Sequence, residues 1–443
     1  MQDRNNSNIF LLSLPIFVEL LLQLLVGNVD QFMLSQYSQN SVAAIGNSNQ
    51  FINIIIIVLN VLSMATTVLL TQYIGAGNTS KVSEVCTVST VLLGGISLLM
   101  MVVSMVFARP LFTWLNVPAD VIDEACLYTQ IIGSFLLVQG LYMNFAAIIR
   151  SFSLLKEVML AAIVMNVLNI FGNAILINGY FGLPRLGIAG AAISTNFSKV
   201  VGLIIVGLIF YKRVQAEISP SYLKPFPFAT LKRLLYVGLP SGGENFSYNL
   251  SQMVIMMFVN LFGTAVITTK VYCTMIASIS YVYSMAISQA TQIVLGYLLG
   301  AGKKDAVPKK IYGTILISLL VSFSITLLAF LNSDVVFGIF TDDPQVLELA
   351  HKIMFIDLFL EAGRSVNIMM TRGLVATGDV KPPLIAGLIC MWSLTVGMSY
   401  VLGVYFNMGL VGIWIAMALD ECVRAVVFLI RFQSGAWRKK HVI

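Results

Sequence analysis

This chain is written twice, and that constrains its fold more than any other feature. Without a gap, Leu14-Pro15 and Glu19 recur 225 positions later as Leu239-Pro240 and Glu244. At the same offset Ser63, Ala65 and Thr66 meet Ser288, Ala290 and Thr291, and the turn Gly75-Ala76-Gly77 meets Gly300-Ala301-Gly302. Leu and Val identities carry little weight in so apolar a chain, but matched Pro, Glu and Gly-Ala-Gly at one offset are hard to obtain by chance. Further along the offset is 222, where Arg150 falls on Arg372, Gly187 on Gly409 and Gly190 on Gly412. Whatever one half folds into, the other half repeats.

Of the 443 residues, 58% are hydrophobic and 10% charged, too little polar surface for a soluble globule of this size. A bilayer span takes about 20 mostly apolar residues. Twelve such runs occur, at 8–34, 46–73, 86–108, 126–149, 157–178 and 188–211, then 233–261, 269–299, 311–332, 345–374, 382–404 and 409–432. The expected fold is an all-α polytopic membrane protein, with twelve transmembrane helices in two pseudo-symmetric six-helix lobes. The N-lobe is 1–211, a polar segment with Pro220, Pro225 and Pro227 over 212–232 is a cytoplasmic linker, and the C-lobe is 233–443 with a short basic tail. An even number of spans per copy makes the copies parallel, about an axis along the membrane normal, which is a transporter plan.

Lys and Arg set the orientation. Lys81, Arg150, Lys156, Lys212, Arg213, Lys303, Lys304, Arg372, Arg438, Lys439 and Lys440 fall on one side, while Asp120, Asp123, Glu124, Asp342 and Asp343 fall on the other. Both termini are therefore expected in the cytoplasm, in a multi-pass protein of the cytoplasmic membrane. This loop bias accounts for the net charge of +6 and removes the case for a nucleic-acid partner. The first run carries Glu19 and Asp30 and no small-residue cleavage site, so it reads as a span and not a signal. The five cysteines are scattered, without disulfide or metal spacing. The Gly-Ala-Gly turns lack the Gly-Lys-Ser/Thr of a phosphate loop, and no enzyme signature is present. The chain reads as no enzyme and needs no cofactor; an ion gradient supplies the energy for any pumping.

Ionisable groups at bilayer depth are expensive and are functional candidates by default. Asp30 has no base one turn away on its own helix, and an unpaired acid in an interior can exchange a proton or hold a cation. Asn166, Asn169 and Asn173 share one face of span five. Their amide oxygens suit a hard cation, equally accept a bond from a protonated acid, or serve as glue between helices. Glu361 with Arg364, and Asp420 with Arg424, are spaced to neutralise each other on their own helices. Glu244, the image of Glu19, has no such partner on its helix.

These residues resemble the MATE family, the multidrug and toxic compound extrusion transporters. Pro15, Asp30, Ala43-Ala44 and Gly75-Ala76-Gly77 are similar to that family's first two spans, and Asn169-Ile-Phe-Gly-Asn173 with Gly187-Ile-Ala-Gly190 and Thr195 to its spans five and six. The stretch from Glu361-Ala-Gly-Arg364 to Gly378-Asp379, with Trp392 and Trp414 through Asp420-Glu421, is similar to a bacterial branch. The resemblance implies two lobes and cation-coupled export of organic compounds, with an ion site at Asp30, Asn169, Asn173 and Thr195. Some relatives carry a second aspartate where this chain has Asn173, which leaves Na+ and H+ both open. Glu361 matches an acidic position of span ten, and Glu244 lies about one turn from the sodium-coupled branch's span-seven acid.

The resulting expectation is a monomeric antiporter working by alternating access. Asp30 as carboxylate helps retain a small, amphiphilic organic cation, and uptake of Na+ or H+ at Asp30, Asn169, Asn173 and Thr195 releases it outward. Glu244 and Glu361 are second-lobe candidates. The rival is a lipid-linked saccharide flippase of the same superfamily, which would favour an Arg- or Lys-lined cavity for pyrophosphate. A channel is the remaining alternative.

Overall fold

The computed structural model describes residues 8–35, 38–115, 117–182 and 184–440. The elements are α1 (Ile9–Ser35), α2 (Gln39–Gly75), α3 (Thr79–Trp114), α4 (Ala119–Gly133), α5 (Leu136–Ser151), α6 (Leu155–Asn178) and α7 (Gly187–Arg213). They continue as α8 (Phe228–Val259), α9 (Thr264–Gly300), α10 (Ala306–Leu331), the short α11 (Ser333–Gly338), α12 (Pro344–Ala376), α13 (Lys381–Cys390) and α14 (Gly409–Gln433). No strand occurs among the described residues. The chain is all-α, with twelve long helical segments in two lobes.

Eight of these helices are long and apolar enough to cross a membrane, and α4 with α5 makes a ninth, bent by 47°. The bend falls at Gly133-Ser134, a residue pair of the kind that kinks helices. Helices α8 and α12 have the length but are more polar, and α14 has the length but carries Asp420, Glu421, Arg424 and Arg431. α13 runs on as a π-helical stretch, Met391–Tyr405, completing the eleventh segment.

Two compact units emerge, one of residues 18–238 and one of 1–17 with 239–443. In the first, Leu34, Phe112, Ile177 and Ile188 form a core. In the second, Ile255, Phe337, Ile353, Leu410 and Trp414 do so. Large apolar side chains such as Leu99, Phe107, Phe197, Leu316 and Leu328 are left exposed. A bilayer supplies the partner they lack. Buried hydroxyls close onto the preceding turn, as when Thr66 donates to the Leu62 carbonyl (2.9 Å) and Thr291 to that of Ile287 (2.7 Å). Ser284 of α9 instead bonds Ser322 of α10 (2.9 Å) and Ser365 of α12 (3.1 Å), polar glue of the kind that joins helices in lipid.

The repeated motifs have a structural reason. Gly77 and Gly302 follow their helices with φ of +70° and +73°. In each copy the glycine N–H bonds back three residues, to Ile74 (3.1 Å) or Leu299 (3.0 Å). The next N–H bonds to Tyr73 (3.0 Å) or Leu298 (2.8 Å). This is a Schellman cap, and it needs glycine because the left-handed conformation penalises a Cβ. Gly-Ala-Gly is therefore a helix terminator in both copies. Gly190 and Gly412 answer a different need: a Cβ on them would lie 2.6 Å from the Leu176 carbonyl oxygen and 2.8 Å from that of Leu402. Each glycine lets its helix start press against the end of the preceding span.

The segment after α7 belongs to the first unit and is pinned to α3. Glu217 N–H donates to Ser83 Oγ (3.1 Å) and Ser219 N–H to Thr87 Oγ1 (3.2 Å). The first turns of α8 follow suit, Thr230 bonding Glu84 and Arg233 bonding Tyr73.

Candidate functional site

In the first unit, α6 carries Asn166, Asn169 and Asn173, all buried. The helical spacing lines them up, and α7 meets the middle one twice. Asn169 Nδ2 donates to Thr195 Oγ1 (3.0 Å), and Ser194 Oγ donates to the Asn169 carbonyl (2.9 Å). Asn169 Oδ1 is buried and has no partner among the described residues. A buried amide oxygen left unpaired costs about 1–3 kcal/mol. It is also the type of oxygen a hard cation takes as a ligand, so the residues present fit Na+ as well as a proton-bearing acid. Thr195 lines a cavity of about 250 Å³ with Asn49, Asn53, Tyr128 and Lys199. Lys199, one helical turn beyond Thr195, brings a basic group into the wall of that cavity.

Asp30 falls within α1, but its side chain lies outside the described residues. Asn169 and Thr195 are brought together; Asn173 is fully buried one turn further along α6. Glu19 is engaged elsewhere, accepting from Arg150 Nη2 at 2.6 Å.

The second unit holds a buried charge network on α12 and α14. Glu361, fully buried, accepts from Ser280 Oγ (2.9 Å) and pairs with Arg364. Arg364 reaches Glu421 at 3.5 Å, and Glu421 also accepts from Asn367 Nδ2 (2.6 Å) and pairs with Arg424 at 3.2 Å. Arg424 in turn pairs with Asp420 at 2.6 Å. The same-helix pairs follow the sequence spacing, but Glu421 ties them into one network across two helices. Such burial is tolerable because each charge has an opposite neighbour. Glu244 of α8 is half-buried, packs against Gly387, and lies within electrostatic reach of Arg424 and Arg372.

Asp357, not among the sequence candidates, sits one turn before Glu361 on the same face of α12. Its Oδ1 accepts the indole N–H of Trp414 at 2.9 Å. Among the described residues no group of three or more His, Cys, Asp or Glu is arranged to hold a metal.

Comparison with known proteins follows the duplication. A family model described as MatE matches residues 15–175 and again 240–401. The chain is 36% identical to the "Uncharacterized transporter YisQ" of Bacillus subtilis, covering 98% of this chain and 95% of that one. It is 29% identical to the "Probable multidrug resistance protein NorM" of Thermotoga maritima, covering 98% and 93%. Among solved structures, a crystal structure of MATE in the bent conformation superposes with a TM-score of 0.88 at 21% identity, over 99% and 97% of the two chains. A MOP superfamily transporter from Pyrococcus furiosus, whose pocket is described as having reverse polarity, superposes at 0.86 and 21%, over 98% and 96%.

Proposed function

The chain belongs to the MatE family of membrane transporters, and from that premise we propose that it is a secondary active antiporter exporting organic compounds in exchange for Na+ or H+. It is a multi-pass membrane protein and not an enzyme. The observation that carries the proposal is the Asn169–Thr195 contact beside the 250 Å³ cavity, with an amide oxygen that has no partner among the described residues. With Asp30, Asn169, Asn173 and Thr195 as the coupling residues, the charged Asp30 favours an organic cation. Neutralising it with Na+ or H+ removes that preference and releases the compound. The compounds are small amphiphilic cations, in keeping with the multidrug resistance named for the Thermotoga relative. Alternating access moves the ion inward and the compound outward. An inward-moving positive charge gains about 2.3 kcal/mol per 100 mV of membrane potential. Both termini lie in the cytoplasm, the membrane is the cytoplasmic one, and the protein works as a monomer.

One observation favours the flippase reading. Lys199 lines the cavity, and a pyrophosphate needs bases. A single lysine among amides and hydroxyls is weak provision for two phosphates, so the antiporter reading stands ahead.

The test is efflux of a fluorescent organic cation from proteoliposomes under an imposed Na+ or H+ gradient, comparing wild type with Asp30→Asn. Gradient-driven transport lost in the variant supports the proposal and identifies the ion. Undiminished transport by Asp30→Asn would sink the Asp30 site and pass the role to Glu244 and Glu361. Absence of transport by both would favour the flippase.

A further inference from the structure

The second unit contains a cavity of about 220 Å³ between α8, α9, α12 and α14. Its lining combines three aromatic side chains, Tyr248, Tyr281 and Trp414, with three charged ones, Lys270, Asp357 and Arg364. The charges are not equivalent. Arg364 pairs with Glu361 and Glu421, lies within electrostatic reach of Asp357, and its guanidinium also stands 5.7 Å from the centroid of the Tyr281 ring. Asp357 is 1% exposed and only half used: Trp414 satisfies Oδ1, while Oδ2 is buried with no partner among the described residues. Lys270 Nζ has as its contact the thioether sulfur of Met256 at 3.6 Å, and no ion pair among the described residues includes it.

A buried carboxylate oxygen without a donor, and an ammonium without an acid, on the walls of one aromatic-lined cavity are two unmet demands of opposite sign. A buried acceptor left without a donor costs about 1–3 kcal/mol, and the half-exposed Lys270 brings a free ammonium to the same wall, so both are provisions for something that enters. A cation of modest size surrounded by aromatic faces and one carboxylate is held by cation–π attraction and by charge, the arrangement that recognises quaternary ammonium groups. The lysine then takes an anionic group at the other end of the same molecule.

We propose that this cavity is a binding site for a small zwitterion, a quaternary ammonium carboxylate of the betaine class. The ammonium lies among Trp414, Tyr248, Tyr281 and Asp357 Oδ2, and the carboxylate on Lys270. The site is separate from the proposed ion site in the first unit, and it selects a different ligand class from the amphiphilic cations proposed as cargo.

The experiment is equilibrium titration calorimetry on the full chain purified in detergent, using γ-trimethylammonio-butyrate and its methyl ester as the probe pair. The two share the ammonium and differ in the carboxylate. The zwitterion is expected to bind about tenfold more tightly than the ester, the worth of one charge-assisted hydrogen bond. Lys270→Met, at a half-exposed position where the fold does not depend on the amine, is expected to erase that difference and leave the ester's affinity in place. Asp357→Asn is expected to weaken both probes. Equal binding of the two probes by wild type, a difference that survives Lys270→Met, or no binding by folded wild type would each overturn the site. Because no gradient is applied, failure here leaves the antiporter proposal untouched, and failure of Na+- or H+-driven efflux leaves this one untouched.

Discussion

Arg150, at the last turn of α5, places Nη2 2.6 Å from Glu19 Oε1 of α1, and the second copy keeps both ends of this ion pair as Arg372 and Glu244. In that copy Arg372 and Glu244 again lie within electrostatic reach of each other. The duplicated glutamate, unpaired on its own helix in each half, therefore has its base on another helix. This gives Glu19 and Glu244 a structural use that needs no part in coupling.

Removing one partner of the first pair is expected to be costly, because Glu19 is almost fully buried. Arg150→Met should lower stability by about 3 kcal/mol, the scale for leaving a buried charge unpaired. The double variant Glu19→Gln, Arg150→Met should recover part of that loss. Thermal unfolding in detergent reads both, and a double variant less stable than either single one would refute the pairing as the cause.

The network around Glu421 should respond more sharply than an exposed pair. Glu421→Gln removes one of the two acids paired with each of Arg364 and Arg424, which keep Glu361 and Asp420, and weakens the link between α12 and α14; about 1.5–3 kcal/mol of destabilisation is expected. Glu348, paired with Lys352 at 2.7 Å but 71% exposed, serves as the contrast. Glu348→Gln should change stability by less than about 1 kcal/mol. Equal effects of the two substitutions would mean that Glu421 is not the link between α12 and α14.

Gly190→Ala and Gly412→Ala should each cost about 1–3 kcal/mol, since a methyl group cannot share space with a backbone carbonyl. Gly207, on the same helix as Gly190, has open space where a Cβ would sit. Gly207→Ala should be neutral or stabilise by up to about 1 kcal/mol through helix propensity. Tolerance of alanine at 190 or 412 equal to that at 207 would show that the helix ends do not need the close approach.

Thr195→Val keeps the shape of the threonine and removes the oxygen that accepts from Asn169 Nδ2. The loss of one hydrogen bond, about 1 kcal/mol, predicts roughly a fivefold rise in the ion concentration giving half-maximal efflux. Thr113→Val is the control, its hydroxyl donating to the Arg109 carbonyl of its own helix at an exposed position. An unchanged ion dependence in Thr195→Val would remove Thr195 from the coupling site.

Much of the fold was legible because its signals are local. Apolar runs mark the helices, Gly-Ala-Gly marks two Schellman caps, and Pro15 and Pro240 recur inside α1 and α8. The 47° bend at residues 133–135 lay inside one unbroken apolar run, which hydropathy reads as a single span. The π-helical stretch after Cys390 is equally silent, since a change of hydrogen-bond partner leaves composition untouched. In the site, the face of Asn166, Asn169 and Asn173 followed from helical period alone, but the bond from Asn169 to Thr195 joins positions 26 apart, which no period connects. The bridge from Arg364 to Glu421 spans 57 positions and was illegible for the same reason. Asp357 could have been found, since it lies at helical spacing from Glu361. Lys270 could not, because a lysine near a span end usually reaches out to the interface.

Residues 9–17 of α1 precede residues 18–238 in the chain, yet they group with residues 239–443, and Phe17 packs edge-on against Tyr283 with ring centroids 5.8 Å apart. Residues 18–238 are contiguous and can be completed while translation continues. The other unit can close only after α14 has been made, with residues 9–17 waiting in the bilayer until then. Biogenesis of this chain is therefore a loop that ends where it began. A truncation at the C-terminal end would strand the start of the chain as well as its finish.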